Sequence, residues 1–122
     1  MKRLLSLAVL LVLLSMPVVA AAVGPLDGVY SVTETSTDGQ FLDYIVVIQN
    51  GTQIALGVLY PDVGTWFYGT GTLSGSTASG TLFESSGTSF GSFTVTLGAD
   101  GSISGTLVSA GLTVSLSGSR IF

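Results

Sequence analysis

The chain has no cysteine and no histidine, and only three of its 122 residues are basic. Without cysteine there are no disulfides, no thiolate metal ligands and no lipid-modified cysteine, so the domain must be held by its core. Without histidine or cysteine, zinc and copper lose their usual ligands. Calcium on carboxylate and backbone oxygens stays open, although no Asp-rich loop of the EF-hand kind is present. The scarcity of Lys and Arg disfavours nucleic acid, whose binding rests on those side chains. No cofactor is called for.

Two of the basic residues, Lys2 and Arg3, open the chain. Leu4 to Leu14 follows, apolar except for Ser6, then Pro17 and the small residues Ala20-Ala21-Ala22. This is the order of a secretory signal peptide, read as a helical segment over 1–22. The apolar run falls short of the roughly 20 residues that a membrane-spanning helix needs. Cleavage after Ala22 would leave one domain of 100 residues, 23–122, with Arg120 as its single basic side chain against seven acids. The expected location is secreted or periplasmic.

What remains is rich in Thr, Ser, Val and Gly, with no window of helical apolar period. Turn signals recur at Asp38-Gly39, Asn50-Gly51, Pro61-Asp62, Gly75-Ser76, Ser86-Gly87, Asp100-Gly101 and Ala110-Gly111. They separate eight expected strands near 27–36, 41–49, 52–60, 65–74, 77–85, 90–97, 102–109 and 111–121. Short connections favour antiparallel neighbours. Asn50-Gly51 suits a two-residue I′ hairpin, and Ala99-Asp100-Gly101 suits a type I turn with Gly101 left-handed.

Alternation assigns faces. Phe93, Val95 and Leu97 oppose Ser92, Thr94 and Thr96. Ile103, Gly105 and Leu107 oppose Ser102, Ser104 and Thr106, and Leu112, Val114 and Leu116 oppose Thr113, Ser115 and Ser117. The 41–60 hairpin is apolar on both faces, with Phe41, Ile45 and Val47 on one and Leu42, Tyr44, Val46 and Ile48 on the other. Its second face calls for cover. Tyr44, Val46 and Ile48 are therefore the candidate interface of a homo-oligomer.

Eight meandering strands lose their exposed edges by closing. The expected fold is all-β: an eight-stranded antiparallel up-and-down meander closed into a barrel, its interior filled by side chains or holding one small ligand. A β-sandwich could use the same strands, a β-solenoid lacks a fixed repeat along the chain, and an outer-membrane barrel is a further alternative. The leader, the absence of cysteine and the terminal Phe122 suit it. The apolar stripes are too short for a belt of roughly 25 Å, so membrane insertion is disfavoured and left open.

Gly28-Val29-Tyr30 in the first strand and Arg120 at the end of the last resemble the calycin arrangement of lipocalins, fatty-acid-binding proteins and avidins. In those barrels a G-x-W packs against a basic residue of the final strand. The resemblance implies barrel closure by Gly28, Tyr30 and Arg120, with Tyr30 in place of the Trp. The stretch "FTVTLGADGSISGTL", residues 93–107, is similar to a hairpin of bacterial avidins. The avidin pocket uses several Trp side chains, whereas Trp66 is the one Trp here.

Catalytic motifs fail on chemistry. "GTSFG", residues 87–91, fits the nucleophile-elbow pattern. Ser89 has no His to take its proton, and no Lys follows the leader. Gly69-Thr70-Gly71 lacks the helix and lysine of a phosphate loop and reads as a bend in a curved strand. Among the acids, Asp43 and Glu84 stand out within otherwise apolar or Ser/Thr strands, where the plain reading is solvent-facing charge at an edge. No catalytic residue is assigned. Tyr60, Trp66 and Tyr68 flank "PDVGT", residues 61–65, and with Tyr30 they are the residues expected to line or gate a cavity. The function expected is non-enzymatic binding of a small apolar or amphipathic ligand. A structural, self-assembling surface protein is the rival.

Overall fold

The computed structural model describes residues 24–122; the expected signal peptide lies outside the described residues. Eight strands run in order: β1 (Gly28–Ser36), β2 (Gly39–Asn50), β3 (Gln53–Tyr60), β4 (Thr65–Ser74), β5 (Thr77–Glu84), β6 (Ser89–Leu97), β7 (Ser102–Ser109) and β8 (Leu112–Arg120). Each pairs antiparallel with the next, and β1 pairs with β8, so the sheet is a closed up-and-down barrel. No strand edge is left for another chain to extend.

The side-chain period of two decides the interior. Tyr30, Val32, Ile45, Val47, Ile54, Leu56, Val58, Leu82, Phe93, Val95, Leu97, Ile103, Leu107 and Leu116 are buried in one cluster. Each such side chain contributes about 1.5–3 kcal/mol when fully withdrawn from water. Between them, small residues let the wall curve. Gly71 and Gly80 face each other across β4 and β5, and a Cβ on either would run into the neighbouring strand's backbone, at Ser79 O or Thr70 O. This is the bend expected of the Gly69-Thr70-Gly71 stretch.

The hairpin turns follow residue chemistry, with shifts from expectation: Ser36 pairs with Gly39, so the first loop is Thr37-Asp38. Asn50 pairs with Gln53, so the two-residue loop is Gly51-Thr52 and not Asn50-Gly51. Only Gly51 has positive φ there, at 61°, the pattern of a II′ turn with Gly at its first central position. The Ala99-Asp100-Gly101 turn forms as expected, with Gly101 at φ 88° and its N–H donating to Gly98 O at 3.0 Å. Asp100 Oδ1 then accepts from Ser102 N and Oγ at 3.0 and 2.7 Å.

The outer wall has two halves. Over β6, β7 and β8 it is mainly Ser and Thr. Over β2 to β5 it carries Leu42, Tyr44, Val46, Ile48, Leu59, Trp66, Tyr68 and Phe83, with Ile48 59% and Trp66 50% exposed.

Candidate functional site

The two ends of the barrel differ. At one end the segment 24–27 lies across the strands. Tyr30, fully buried, donates its hydroxyl to Leu26 O at 2.8 Å. Leu26 N donates to Gln49 Oε1 at 3.2 Å, and Gln49 N donates to Asp27 Oδ1. Arg120 lies opposite Tyr30 in the β1–β8 register and donates to Pro25 O at 3.0 Å. Gly28 has φ 153°, and a Cβ there would meet Phe122 O and the Arg120 side chain. The chain thus brings Gly28, Tyr30 and Arg120 together at this closed end. Burial pushes the Tyr30 hydroxyl up, against the opposing pull of Arg120.

The other end is framed by the 37–38, 61–64, 85–88 and 110–111 connections and is open. A cavity of about 100 Å³ is lined by Glu34, Tyr60, Phe67, Leu82, Phe90, Leu107, Ser109, Leu112 and Val114. It adjoins an outer vestibule of about 360 Å³, which shares Glu34, Tyr60, Leu112 and Val114 and adds Phe41 and Val63 at its rim. The aromatic wall is ordered. Tyr60 and Phe67 have ring centroids 5.5 Å apart, and Phe90 meets Phe67 edge-on at 5.3 Å and 88°.

Phe90 reaches this wall through an irregularity. The β5–β6 register shifts between Leu82 and Phe83, which pair with Gly91 and Ser89 and leave Phe90 over. Such a bulge re-aims a side chain. Its parity would otherwise place Phe90 outside with Ser92 and Thr94. Ser109 Oγ donates to Phe90 O at 3.0 Å and ties the bulge to β7. Within the "GTSFG" stretch, Ser89 is exposed at the start of β6, and the neighbouring Phe90 is the residue that faces the cavity.

The polar atoms at this end are the unusual feature. Glu34 is 2% exposed and Asp43 0%. Glu34 Oε1 accepts from the Tyr60 hydroxyl at 3.2 Å, but Glu34 Oε2 and both Asp43 carboxyl oxygens have no partner among the described residues. Buried polar atoms without a hydrogen bond are costly and uncommon. Burial raises the Glu34 carboxyl above the ordinary carboxylate range, with the Tyr60 hydrogen bond opposing. It raises the Tyr60 hydroxyl too, and the Glu34 charge adds to that. Val32 faces Asp43 and Glu34 faces Phe41, so the two acids are diagonal neighbours, Asp43 one pair deeper. Such positions lie about 7–8 Å apart with side chains on one face.

The residues expected to line or gate a cavity are therefore separated. Tyr60 lines the open end. Tyr30 plugs the opposite end. Trp66 and Tyr68 stand on the outer wall, where Tyr68 stacks on Phe83 at 5.2 Å and 20° and lies 6.1 Å from Trp66. Trp66 borders a second recess of about 340 Å³ beside Glu84, Ser85 and Ser86, which shares Phe67 and Phe90 with the inner cavity. Neighbours in a strand point to opposite faces, so Phe67, between Trp66 and Tyr68, is the one of the three that turns inward. Tyr44, Val46 and Ile48 lie on the outer face of β2. Asp43, expected to face solvent, is buried because it shares parity with Ile45 and Val47. Glu84 is exposed. Among the described residues no group of three or more acids could hold a metal ion.

These features define a small closed antiparallel β-barrel, plugged at one end and hollow at the other. No protein-family model matches the chain, and no curated protein sequence does. Among solved structures it is similar to a redesigned β-barrel, mFAP1, bound to DFHBI, with a TM-score of 0.61 and 16% identity over 79% of this chain and 95% of that one. It is also similar to a de novo designed fluorescence-activating β-barrel, with a TM-score of 0.50 and 20% identity over 77% of this chain and 92% of that one. The likeness is one of fold. The calycin families do not enter through it.

Proposed function

We propose that the protein is a secreted or periplasmic, non-enzymatic binding module that holds a small amphipathic molecule in the open end of its barrel. The observation that carries this reading is the hollow itself. An inner cavity and its vestibule are walled by Phe67, Phe90, Leu112 and Val114 and carry a few convergent polar groups at Tyr60 and Glu34. mFAP1 was solved with a small molecule bound, which supports the capacity of such a barrel for a ligand and says nothing of which ligand belongs here. The calycin-like placement of Gly28, Tyr30 and Arg120 fits the same picture of one sealed end and one receiving end. The Ser/Thr wall over β6 to β8 disfavours a membrane barrel, whose lipid-facing positions must be apolar all round.

Two measurements test this. The protein from a secreting host, sprayed natively without detergent, carries small-molecule mass beyond its polypeptide. Nile red, a neutral apolar dye, brightens on binding, and Val114→Trp, which fills the cavity, abolishes the rise while circular dichroism stays unchanged. A wild-type chain with neither bound mass nor dye signal overturns the reading.

The outer face of β2 and β3 supports a second reading, self-association with a second copy of the chain through Tyr44, Val46 and Ile48. Its basis is the exposed apolar patch that includes Leu42, Ile48 and Leu59. Val46→Asp with Ile48→Asp then lowers the oligomer mass by size-exclusion chromatography without unfolding. A monomeric wild type removes that reading.

A further inference from the structure

We infer that the ligand of the open end carries a protonated amine, an ammonium group seated against Glu34, with an apolar body lying in the vestibule. This deepens the ligand-binding reading and rests on it. Three features of the site point to a cation.

The first is unmet demand. Glu34 lines the cavity, is almost wholly buried and leaves Oε2 without a donor, while Asp43 behind it leaves both oxygens without one. An ionised Glu34 only accepts, and the described residues offer its Oε2 no donor. Tyr60 supplies its one hydroxyl proton to Glu34 Oε1 and has no second to give. An ammonium brings three donors on one small centre, one of them for Glu34 Oε2.

The second is charge. A buried carboxyl in a low-dielectric space ionises readily only with a cation beside it. The described residues supply none at this end. Arg120, the one basic side chain among the described residues, is engaged with Pro25 O at the opposite mouth. An anionic ligand would meet Glu34 with no cation between them, whereas an ammonium lets Glu34 ionise and pairs with it.

The third is the wall. Tyr60, Phe67 and Phe90 form a connected aromatic group beside Glu34. Aromatic faces attract cations, and more strongly where water is excluded. The inner space of about 100 Å³ suits a head group and not a whole molecule, while the 360 Å³ vestibule, with Phe41, Val63 and Leu112 at its rim, suits an apolar body. A larger recess of about 490 Å³ lies on the outer wall among Ile48, Ala55, Thr70 and Gly71. It offers no charged group and makes no such demand.

Calorimetric titration of the full secreted chain with three matched probes at neutral pH tests the inference. They are 2-phenylethylamine, 2-phenylethanol and 3-phenylpropionate. The amine binds at least about tenfold more tightly than the alcohol, the scale of one charge-assisted hydrogen bond, and the carboxylate binds least. Glu34→Gln, near-isosteric, removes most of the amine's advantage and leaves the alcohol's affinity within about twofold, since the apolar contacts are untouched. Asp43→Asn reduces the advantage by less. Tyr60→Phe leaves both carboxyls in place, frees Glu34 Oε1 and keeps the amine preference. Wild type binding amine and alcohol equally, or an advantage that survives in both acid variants, overturns the inference. Nile red separates the two levels. Dye binding without amine preference removes the ammonium and keeps the ligand site; no binding of dye or of any probe removes both.

Discussion

At one mouth of the barrel the buried Tyr30 hydroxyl finds Leu26 O, the Gln49 side chain takes the Leu26 N–H, and Arg120 pins the covering segment. At the other mouth Glu34 and Asp43 are buried just as deeply and leave three carboxyl oxygens with nothing. The same eight strands build both ends, yet only one of them is optimised for stability. A sealed, satisfied end adds to the folding free energy. An end with unmade bonds subtracts from it, and natural proteins retain such costs chiefly at functional sites.

The sharpest way to break this contrast is to empty the sealed end. Tyr30→Ala removes the plug and its hydrogen bond, and urea unfolding should show a loss of about 3–5 kcal/mol, the range for large aromatic-to-alanine changes. At the open end the sign reverses. Asp43→Val replaces a buried carboxyl that has no partner with an apolar side chain, so the ligand-free protein should gain about 1–3 kcal/mol, the usual penalty of an unsatisfied buried polar group. A finer cut compares two hydroxyls. Tyr30→Phe should cost about 1 kcal/mol, because it strands Leu26 O in the sealed end. Tyr60→Phe should cost at least as much, because it strands Glu34 Oε1, the one oxygen of that buried carboxyl that has a donor.

The smallest effect is one of pH. Burial holds the Glu34 carboxyl above its ordinary value, so the folded chain binds that proton more tightly than the unfolded one. Its contribution to stability is full below the ordinary carboxylate pKa and is lost as pH rises through the elevated folded value. Wild type should therefore lose stability relative to Glu34→Gln across that window, as read by melting curves of the ligand-free protein at stepped pH. A difference that is flat with pH would count against a buried, unpaired Glu34.

Much of the architecture was legible in residue parity. The eight strands, the inward stripes of β6 to β8 and the two apolar faces of the 41–60 hairpin follow from alternation and turn residues alone. The site was less so, for three physical reasons. Asp43 shares parity with Ile45 and Val47, but an acid's ordinary preference for water argued against the interior, and Glu34, which shares parity with Tyr30 and Val32, drew no reading at all. Trp66 and Tyr68 cluster with Tyr60 along the chain, yet a strand sends neighbours to opposite faces. Phe90 reaches the cavity only through the bulge at Leu82/Phe83, which depends on β5–β6 pairing and leaves no mark in a single strand's pattern.

The contrast between the two mouths rests on the open end keeping its buried acids at a cost to folding. Equilibrium urea unfolding of Asp43→Val against wild type, both free of ligand, measures that directly. A midpoint shifted to higher urea with the slope unchanged is the expected result and marks Asp43 as a residue held for something other than the fold. A midpoint shifted to lower urea would show that the carboxyl supports the barrel, and the contrast would fail.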